Sequence, residues 1–111
     1  MELAIGKLKL NKSPGLDSIP AEFFQKGYPV LNGAILEVIL AIWEDEVLPI
    51  DWTRGILCPI HKKGDPTNCS SYRGISLLNI SYKVFLNIIF GRLSLLNEIS
   101  VGEYQCGIRR G

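Results

Sequence analysis

One stretch of the chain, residues 55–78, limits the possible folds more than any other, because two short apolar runs lie on either side of a polar segment. The segment between the runs holds residue types that favour turns: Gly64, Asp65, Pro66, Asn68 and Ser70. The apolar positions before and after it are Ile56, Leu57, Pro59, Ile60, Ile75, Leu77 and Leu78. Apolar runs joined in this way predict an antiparallel β-hairpin. We call residues 55–78 the arm.

The turn of the predicted arm is positively charged. Lys62, Lys63 and Arg73 bracket it, and Asp65 is the only acidic residue within residues 54–83. An extended pair of strands would therefore hold three cations near its end, an arrangement that suits phosphate. A solvated hairpin tip is the alternative, because a Lys-Lys-Gly turn is usually exposed and the arginine would then be an ordinary surface residue of the strand.

Hydrophobic periodicity predicts helices on both sides of the arm. The clearest covers residues 31–47, where apolar side chains recur at the i, i+3, i+4, i+7 spacing, and a second long helix is predicted over residues 79–96. A short helix is predicted over residues 21–26, and residues 3–10 fit a helix end or a strand, with helix preferred. Residues 98–111 are expected to be loop. The chain is therefore expected to be an α+β protein, mostly helical with one antiparallel β-hairpin.

The apolar faces of these helices predict which side chains form the core. Phe23 and Phe24 are expected to pack inside the protein, and Trp52 is expected to anchor the entry into the arm. The helix over residues 31–47 is so apolar that we expect it to be packed on more than one side, with its acidic end in water. In the last helix, Gly91 is expected to mark a close approach to another element. The predicted core face of that helix is Tyr82, Phe85, Leu86, Ile89, Leu93 and Leu96.

The composition is that of a globular protein, with 111 residues of which 47% are hydrophobic and 21% are charged. The net charge of +1 offers no argument for nucleic-acid binding, but the charges are unevenly distributed. Residues 31–51 contain five acids and no Lys or Arg, whereas residues 54–83 contain five bases and one acid. This pattern predicts an acidic helix surface and a basic arm, although two solvated surfaces of opposite sign would produce the same pattern.

The cysteines and acids offer little for a metal site. Cys58, Cys69 and Cys106 contain no CxxC pair, which favours free thiols in a reducing compartment. A zinc site at Cys58, His61 and Cys69 is the weaker alternative, because a closed site needs a fourth ligand. Asp17 is interpreted as a helix cap or dipole partner rather than a metal ligand. The longest apolar run is too short for a membrane span and no targeting signal is visible, so we expect an intracellular protein of the nucleus or cytoplasm.

Five multi-residue motifs in a fixed order carry a resemblance to a known family. They are NKSPGLDSIPAEFF, LPIDW, PIHKKGDPTNCSSYRGISLLN, SYKVFLNIIFGRL and EYQCGIRRG. With this series the chain resembles the fingers region of reverse transcriptases, the RNA-directed DNA polymerases of non-LTR (LINE-type) retrotransposons. The resemblance implies that residues 1–111 are the N-terminal, fingers part of a reverse transcriptase domain and that the chain stops before the catalytic palm motifs.

The resemblance also implies which residues contact substrates. Lys62 or Lys63, together with Arg73, would bind the phosphates of the incoming deoxynucleoside triphosphate. Gln105 and Arg109 would bind the template strand. The implied partners are an RNA template, a DNA primer and the nucleotide, with no membrane.

Two positions depart from the pattern of the family. Gly74 stands where the wider family often has proline, which leaves the strand less rigid, and Ile108 stands where the family has an aromatic residue, which puts a stacking role there in doubt.

The catalytic carboxylate motifs of the family, Phe-x-Asp and Tyr-x-Asp-Asp, do not occur in these residues. Because such carboxylates hold the two divalent cations of template-directed synthesis, we predict no catalytic residue, no bound cofactor and no polymerase activity from this chain alone, with Mg²⁺ expected only together with the palm. Two interpretations stand. The chain is part of a retrotransposon polymerase that contributes template and nucleotide contacts, or it is an inactive relic, at most a small interaction or nucleic-acid-binding domain whose exposed apolar faces leave association open.

Overall fold

The computed structural model describes residues 1–27 and 29–100, with side chains described as far as Ser94. Within these residues the chain has the predicted α+β fold, with four α-helices and one two-stranded antiparallel sheet. In chain order the elements are α1 (Glu2–Gly6), α2 (Ala21–Gln25), α3 (Pro29–Asp45), β1 (Ile56–His61), β2 (Tyr72–Leu77) and α4 (Ile80–Ser100). Short 3-10 helices precede the strands at Ile50–Thr53 and Cys69–Ser71. None of the helices in the described residues is long and apolar enough to cross a lipid bilayer.

The sheet is the hairpin predicted for the arm. β1 and β2 pair along their full length, with Pro59 opposite Gly74. The pairing extends one step beyond the strands, because the Lys62 N–H donates to the Ser71 carbonyl at 2.8 Å. Ladder bonds of an antiparallel pair alternate along each strand, so Pro59 falls at a position whose N–H would point away from β2. A proline is therefore accommodated inside the strand without the loss of a ladder bond.

The core is formed by the helices and by the 3-10 helix that precedes β1. Its buried apolar side chains are Ala4, Ile5, Leu8, Ala21, Phe24, Ile39, Ile42, Trp52, Ile80, Val84 and Phe85. Burial of each larger side chain contributes roughly 1.5–3 kcal/mol relative to leaving it in water. No residue of β1 or β2 belongs to this set, so the arm lies outside the core.

Trp52 is buried, as predicted, and joins the two ends of the arm to one core. Its side chain is 8% exposed, and its ring centroid lies 5.8 Å from that of Tyr82 and 5.9 Å from that of Phe85. Trp52 precedes β1, whereas Tyr82 and Phe85 belong to the helix that follows β2. The aromatic cluster therefore connects the segments by which the chain enters and leaves the arm.

α3 packs on one side, not on several. Ile39 and Ile42 face the core and are 6% and 7% exposed. The second apolar stripe of the helix is 43–57% exposed at Leu36, Leu40 and Trp43. The prediction of packing on more than one side is therefore wrong for the described residues, because the predicted apolar surface is wider than the core that meets it. The acidic end, residues 44–46, is exposed as predicted.

α4 buries only part of the predicted face. Phe85 is 7% exposed and Tyr82 and Ile89 pack against the core, as predicted. Val84 lies outside the predicted face and is fully buried, whereas Leu86 and Leu93 belong to that face and are 37% and 49% exposed. The helix is oriented by its packing on α1, where the Asn87 side-chain amide donates to the Ala4 carbonyl at 3.1 Å. Periodicity locates the apolar stripes of a helix, but the neighbouring element decides which stripe is buried.

Smaller differences concern element ends and single residues. α1 is a helix, as preferred, but it ends at Gly6, and α4 continues past its predicted end, so residues 98–100 are helical rather than loop. Phe24 is 1% exposed as expected, while Phe23 is 47% exposed. Apart from the adjoining backbone of α4, no described atom lies within 4 Å of the place that a Cβ on Gly91 would occupy, so the expected close approach to another element is not found among these residues.

Candidate functional site

The three predicted cations lie at the outer end of the arm. Arg73 lies in β2 opposite Ile60, Lys62 directly follows β1, and Lys63 begins the bend between the strands. All three cationic residues are exposed. Residues at facing positions of an antiparallel pair share one face of the sheet, as do residues two apart along a strand. Lys62 and Arg73 are therefore diagonal neighbours on one face, and their Cα atoms are expected to be roughly 7–8 Å apart.

The loop between the strands is built from local hydrogen bonds. Oδ1 of Asp65 accepts from the N–H and the hydroxyl of Thr67, at 2.8 and 2.7 Å. Oδ1 of Asn68 accepts from the N–H and the hydroxyl of Ser70, at 3.0 and 2.8 Å. Gly64 has φ +96°, a backbone conformation that favours glycine. These contacts shape the loop without using either lysine side chain, which leaves both ammonium groups available to a ligand.

Asp65, the one acid of the arm, is directed at the loop backbone rather than at the cations. The N–H of Thr67 and then its hydroxyl, which both donate to the carboxylate, hold the pKa of Asp65 below its usual value. Because both donors approach Oδ1 of the ionised carboxylate, the charge of Asp65 stabilises the loop. The tip of the arm keeps its cationic excess.

The opposite face of the arm carries an aromatic pair. His61 and Tyr72 face each other across the strands, with ring centroids 5.3 Å apart in an edge-to-face arrangement. The Tyr72 hydroxyl donates to the Pro66 carbonyl at 2.8 Å, and Nε2 of His61 lies 3.1 Å from the Gly64 carbonyl. Both aromatic residues therefore attach the loop to the end of the strands and stabilise the backbone that carries the cations.

The base of the arm holds a buried polar contact that sequence reasoning missed. Asn79, which directly precedes α4, is 4% exposed and contacts Asp17 and Asp51 through its side-chain amide. Gly15 packs directly against it. The sequence contains a Pro-Gly pair in a predicted turn and an asparagine at a predicted helix start. Neither pattern indicates that Gly15 and Asn79 are in contact.

The predicted template contacts, Gln105 and Arg109, lie outside the described residues and stay predictions. Oδ1 of Asp17 accepts from the Ile19 N–H at 3.1 Å, which is a local turn contact rather than a helix cap or a metal site. Both cysteines of the arm are free thiols. Among the residues that the structure describes, no three His, Cys, Asp or Glu side chains are grouped to hold a metal ion, so the zinc alternative finds no support there.

Comparison with known proteins found relatives encoded by transposons, although no protein-family model matches the chain. The chain is 35% identical, over 97% of its length, to the probable RNA-directed DNA polymerase from transposon BS of Drosophila melanogaster. It is 38% identical, over 91% of its length, to the probable RNA-directed DNA polymerase from transposon X-element of the same organism. It is 37% identical, over 80% of its length, to the uncharacterized 149 kDa protein of transposon TX1 of Xenopus laevis. The chain spans 12%, 12% and 7% of the lengths of these three proteins.

Proposed function

Because this chain belongs to the transposon-encoded RNA-directed DNA polymerases, the family that its motifs predicted, we propose that it is the fingers part of such a polymerase, in which the arm contacts phosphates. The relatives are named for the whole activity, and the chain matches 12% of their length. The RNA template, the DNA primer and the incoming deoxynucleoside triphosphate are therefore partners that we propose for the arm in the context of a complete polymerase.

The observation that carries this proposal is the placement of Lys62 and Arg73 on one face at the end of the arm. Strand register and the Lys62 to Ser71 hydrogen bond hold their backbones as diagonal neighbours. With backbones roughly 7–8 Å apart, the two long side chains start close enough to contact phosphates of the same chain. Lys63 at the bend extends the same positive end.

The two kinds of cation have different tasks in this proposal. The Arg73 guanidinium is a planar fork that can donate to two phosphate oxygens at once, and the residue's backbone is held in a paired strand. Lys62 and Lys63 present point charges on long side chains, which can follow a mobile polyphosphate. The arm therefore combines a directional donor with two adaptable ones.

The chemical step is assigned to carboxylates outside these residues. Phosphoryl transfer to a primer hydroxyl uses two divalent cations about 4 Å apart, held by carboxylates on neighbouring strands. The acids within the described residues lie in turns, in the short helices and along α3 and α4, and the Phe-x-Asp and Tyr-x-Asp-Asp motifs are absent from the sequence. We therefore propose that Mg²⁺ is bound by another part of the polymerase, while this part binds and orients phosphates.

Binding of a fluorescent template–primer duplex to the 111-residue chain at several salt concentrations tests the proposal. A phosphate-binding arm produces a log-log slope of about −0.9 for each phosphate contacted on duplex DNA. Arg73→Ala and Lys62→Ala are each expected to flatten the slope by about one contact. Arg73→Lys keeps the charge and is expected to retain the slope but to lose affinity, because the bidentate geometry is lost.

Lys9→Ala is the matched control, because Lys9 is an exposed cation outside the arm. An unchanged slope in both arm variants, or an equal change in Lys9→Ala, would contradict a phosphate-binding role for the arm.

A second candidate function, a small association domain, is favoured by the exposed apolar stripes of α3 and α4. The exposed members are Leu36, Leu40 and Trp43 on α3 and Leu86, Phe90 and Leu93 on α4. An inactive relic of a polymerase would keep these faces without a nucleic-acid role. The lack of salt-dependent template–primer binding, together with concentration-dependent association, would favour this candidate.

A further inference from the structure

We propose that Asn79 is a positioning residue that fixes the direction in which the arm leaves the helical part of the protein. The proposal rests on the proposed function in one respect, because phosphate contact by the arm depends on where its tip points. Asn79 carries no charge and lies at the opposite end of the arm from the cations. Its contribution to binding would be indirect, through Arg73 and Lys62.

Asn79 holds the chain on both sides of the arm at once. It lies two residues beyond the end of β2, and its carbonyl accepts from the Lys83 N–H at 3.1 Å in the first turn of α4. Its side-chain Nδ2 donates to the carbonyl of Asp51 at 3.4 Å. Asp51 belongs to the 3-10 helix that leads into β1. The entry and the exit of the arm are therefore joined through one side chain.

The same side chain also joins the arm to a loop from the beginning of the chain. Oδ1 of Asn79 accepts from the Asp17 N–H at 3.4 Å. Both of its amide bonds are long for N–H···O contacts, so close packing must hold the group in place as well. Gly15 supplies that packing. A Cβ on Gly15 would lie 2.5 Å from the Asn79 backbone nitrogen and 2.7 Å from its Cα, distances that only glycine avoids.

The aromatic contacts of Trp52 with Tyr82 and Phe85 join the same two segments, but among the described residues the arm itself has few contacts that would set its direction. Its strands contribute no side chain to the buried core, and both are exposed along nearly all of their length. At the root of the arm, a Cβ on Gly55 would lie 3.3 Å from the Leu77 carbonyl oxygen, so the two strands begin in close contact with each other rather than with a helix. A long hairpin held at its base turns a small rotation of the base into a large displacement of the tip.

Distance measurement between two spin labels tests the inference without nucleic acid. One label is placed on Cys69, an exposed native residue of the arm loop, and the other on Glu37→Cys, an exposed position of α3. Cys58 and Cys106 are replaced by serine in every sample. Asn79→Ala is expected to broaden and shift the distance distribution, because the arm can adopt more than one direction once the hydrogen bonds of the Asn79 side chain are lost.

Asn87→Ala is the matched control for Asn79→Ala. Asn87 is also on the α4 side of the molecule and also donates an amide hydrogen bond to a backbone carbonyl, that of Ala4, but it does not touch the arm. Its loss is expected to lower stability without changing the label distance. Equal broadening in both variants, or none in Asn79→Ala, would overturn the inference.

Asn79→Asp is a second variant in case Asn79→Ala fails to fold. Aspartate keeps the acceptor for the Asp17 N–H and the helix-start role, but it loses the donor to Asp51. We expect its distance distribution to lie between those of the wild type and the alanine variant. If only Asn79→Asp folds and its distance distribution is identical to that of the wild type, the hydrogen bond to Asp51 does not set the direction of the arm, and the inference is overturned.

Nucleic-acid binding separates this inference from the proposed function. If the arm binds phosphates, Asn79→Ala is expected to weaken template–primer binding by roughly two- to tenfold. Two side-chain hydrogen bonds are lost, but both are long, so we expect their combined effect on the binding-competent population to equal that of about one ordinary hydrogen bond. If the wild type shows no salt-dependent binding, the proposed function fails, and the label distances still decide whether Asn79 positions the arm. Salt-dependent binding that is unchanged in Asn79→Ala, together with an unchanged distance distribution, would leave the function standing and overturn the inference.

Discussion

Two glycines of this chain show how local surroundings decide the effect of a single methyl group. At Gly74, opposite Pro59 in the sheet, a Cβ would lie 3.0 Å from Cδ1 of Leu57, the end of a side chain that is 69% exposed. At Gly15 the same atom would lie 2.5 Å from the backbone nitrogen of Asn79. An exposed leucine can change rotamer, whereas the backbone at a helix start cannot move without breaking its contacts.

Gly74→Ala and Gly15→Ala are therefore expected to have opposite effects. Gly74 has no positive φ, so alanine there should raise the free energy of unfolding by about 0.5–1 kcal/mol through a smaller entropy loss on folding. Gly15→Ala should lower the free energy of unfolding. Urea unfolding followed by tryptophan fluorescence measures both. Destabilisation by Gly74→Ala would show that Leu57 cannot move aside.

The carboxylate of Asp65 makes the arm loop sensitive to acid. Its pKa is lowered in the folded protein by the N–H and hydroxyl of Thr67, so its contribution to stability is present at neutral pH and is lost as the pH falls through the folded-state pKa. An NMR titration of the Thr67 amide should show a midpoint below the usual aspartate value. Thr67→Val keeps the N–H and removes the hydroxyl, and it should raise that midpoint. A midpoint that is unchanged in Thr67→Val would exclude a role for the hydroxyl.

Among the elements, α3 and α4 pack on the core while the arm projects from it, and two tryptophans mark the difference. Trp52 lies between the entry to the arm and α4, where it contacts Tyr82 and Phe85. Trp43, near the end of α3, is 57% exposed and has the Arg92 guanidinium 4.6 Å from its ring centroid. The first residue holds two elements together, and the second makes one surface contact.

Replacing each tryptophan by alanine should separate these roles. Trp52→Ala is expected to cost about 3–5 kcal/mol, the usual range for emptying a buried aromatic site, which can unfold a small domain. Trp43→Ala should cost about 0.5–1 kcal/mol through its exposed cation–π contact. Chemical denaturation of both variants, with far-UV circular dichroism, provides the comparison. Similar costs for the two substitutions would contradict the assignment of Trp52 to the core.

At the scale of the whole molecule, the described protein is open rather than compact. Its Cα radius of gyration is 17.0 Å, while a compact domain of this length would have roughly 13 Å. In this open arrangement the arm lies outside the core, and apolar stripes of α3 and α4 are left uncovered. Apolar faces of this kind favour association in water.

We expect the isolated chain to associate as its concentration rises. Leu40→Gln, on the exposed stripe of α3, should reduce the association, because it removes apolar surface without disturbing the core. Ala34→Gln is the matched control, an exposed position of the same helix outside that stripe. Sedimentation velocity at several concentrations measures the difference. An effect of the same size in both variants would show that the stripe is not the contact surface.

Local chemistry made the arm predictable. Turn residues, two flanking apolar runs and the placement of three cations are all encoded within residues 55–78, and the hairpin forms with these residues in the expected places. The α+β class followed from the periodicity of the flanking helices for the same reason, since a helix records its apolar stripes in spacings of three and four residues.

Contacts between distant parts of the chain were not predictable in this way. The Asp17 to Asn79 hydrogen bond joins residues 62 positions apart, and the need for glycine at position 15 arises from that same approach. The choice of Val84 rather than Leu93 for the core likewise depends on where α1 lies. Sequence patterns specify what each element can bury or bind, because that information is short-range. Which face is covered, and where the arm points, is settled only when separate segments pack against one another.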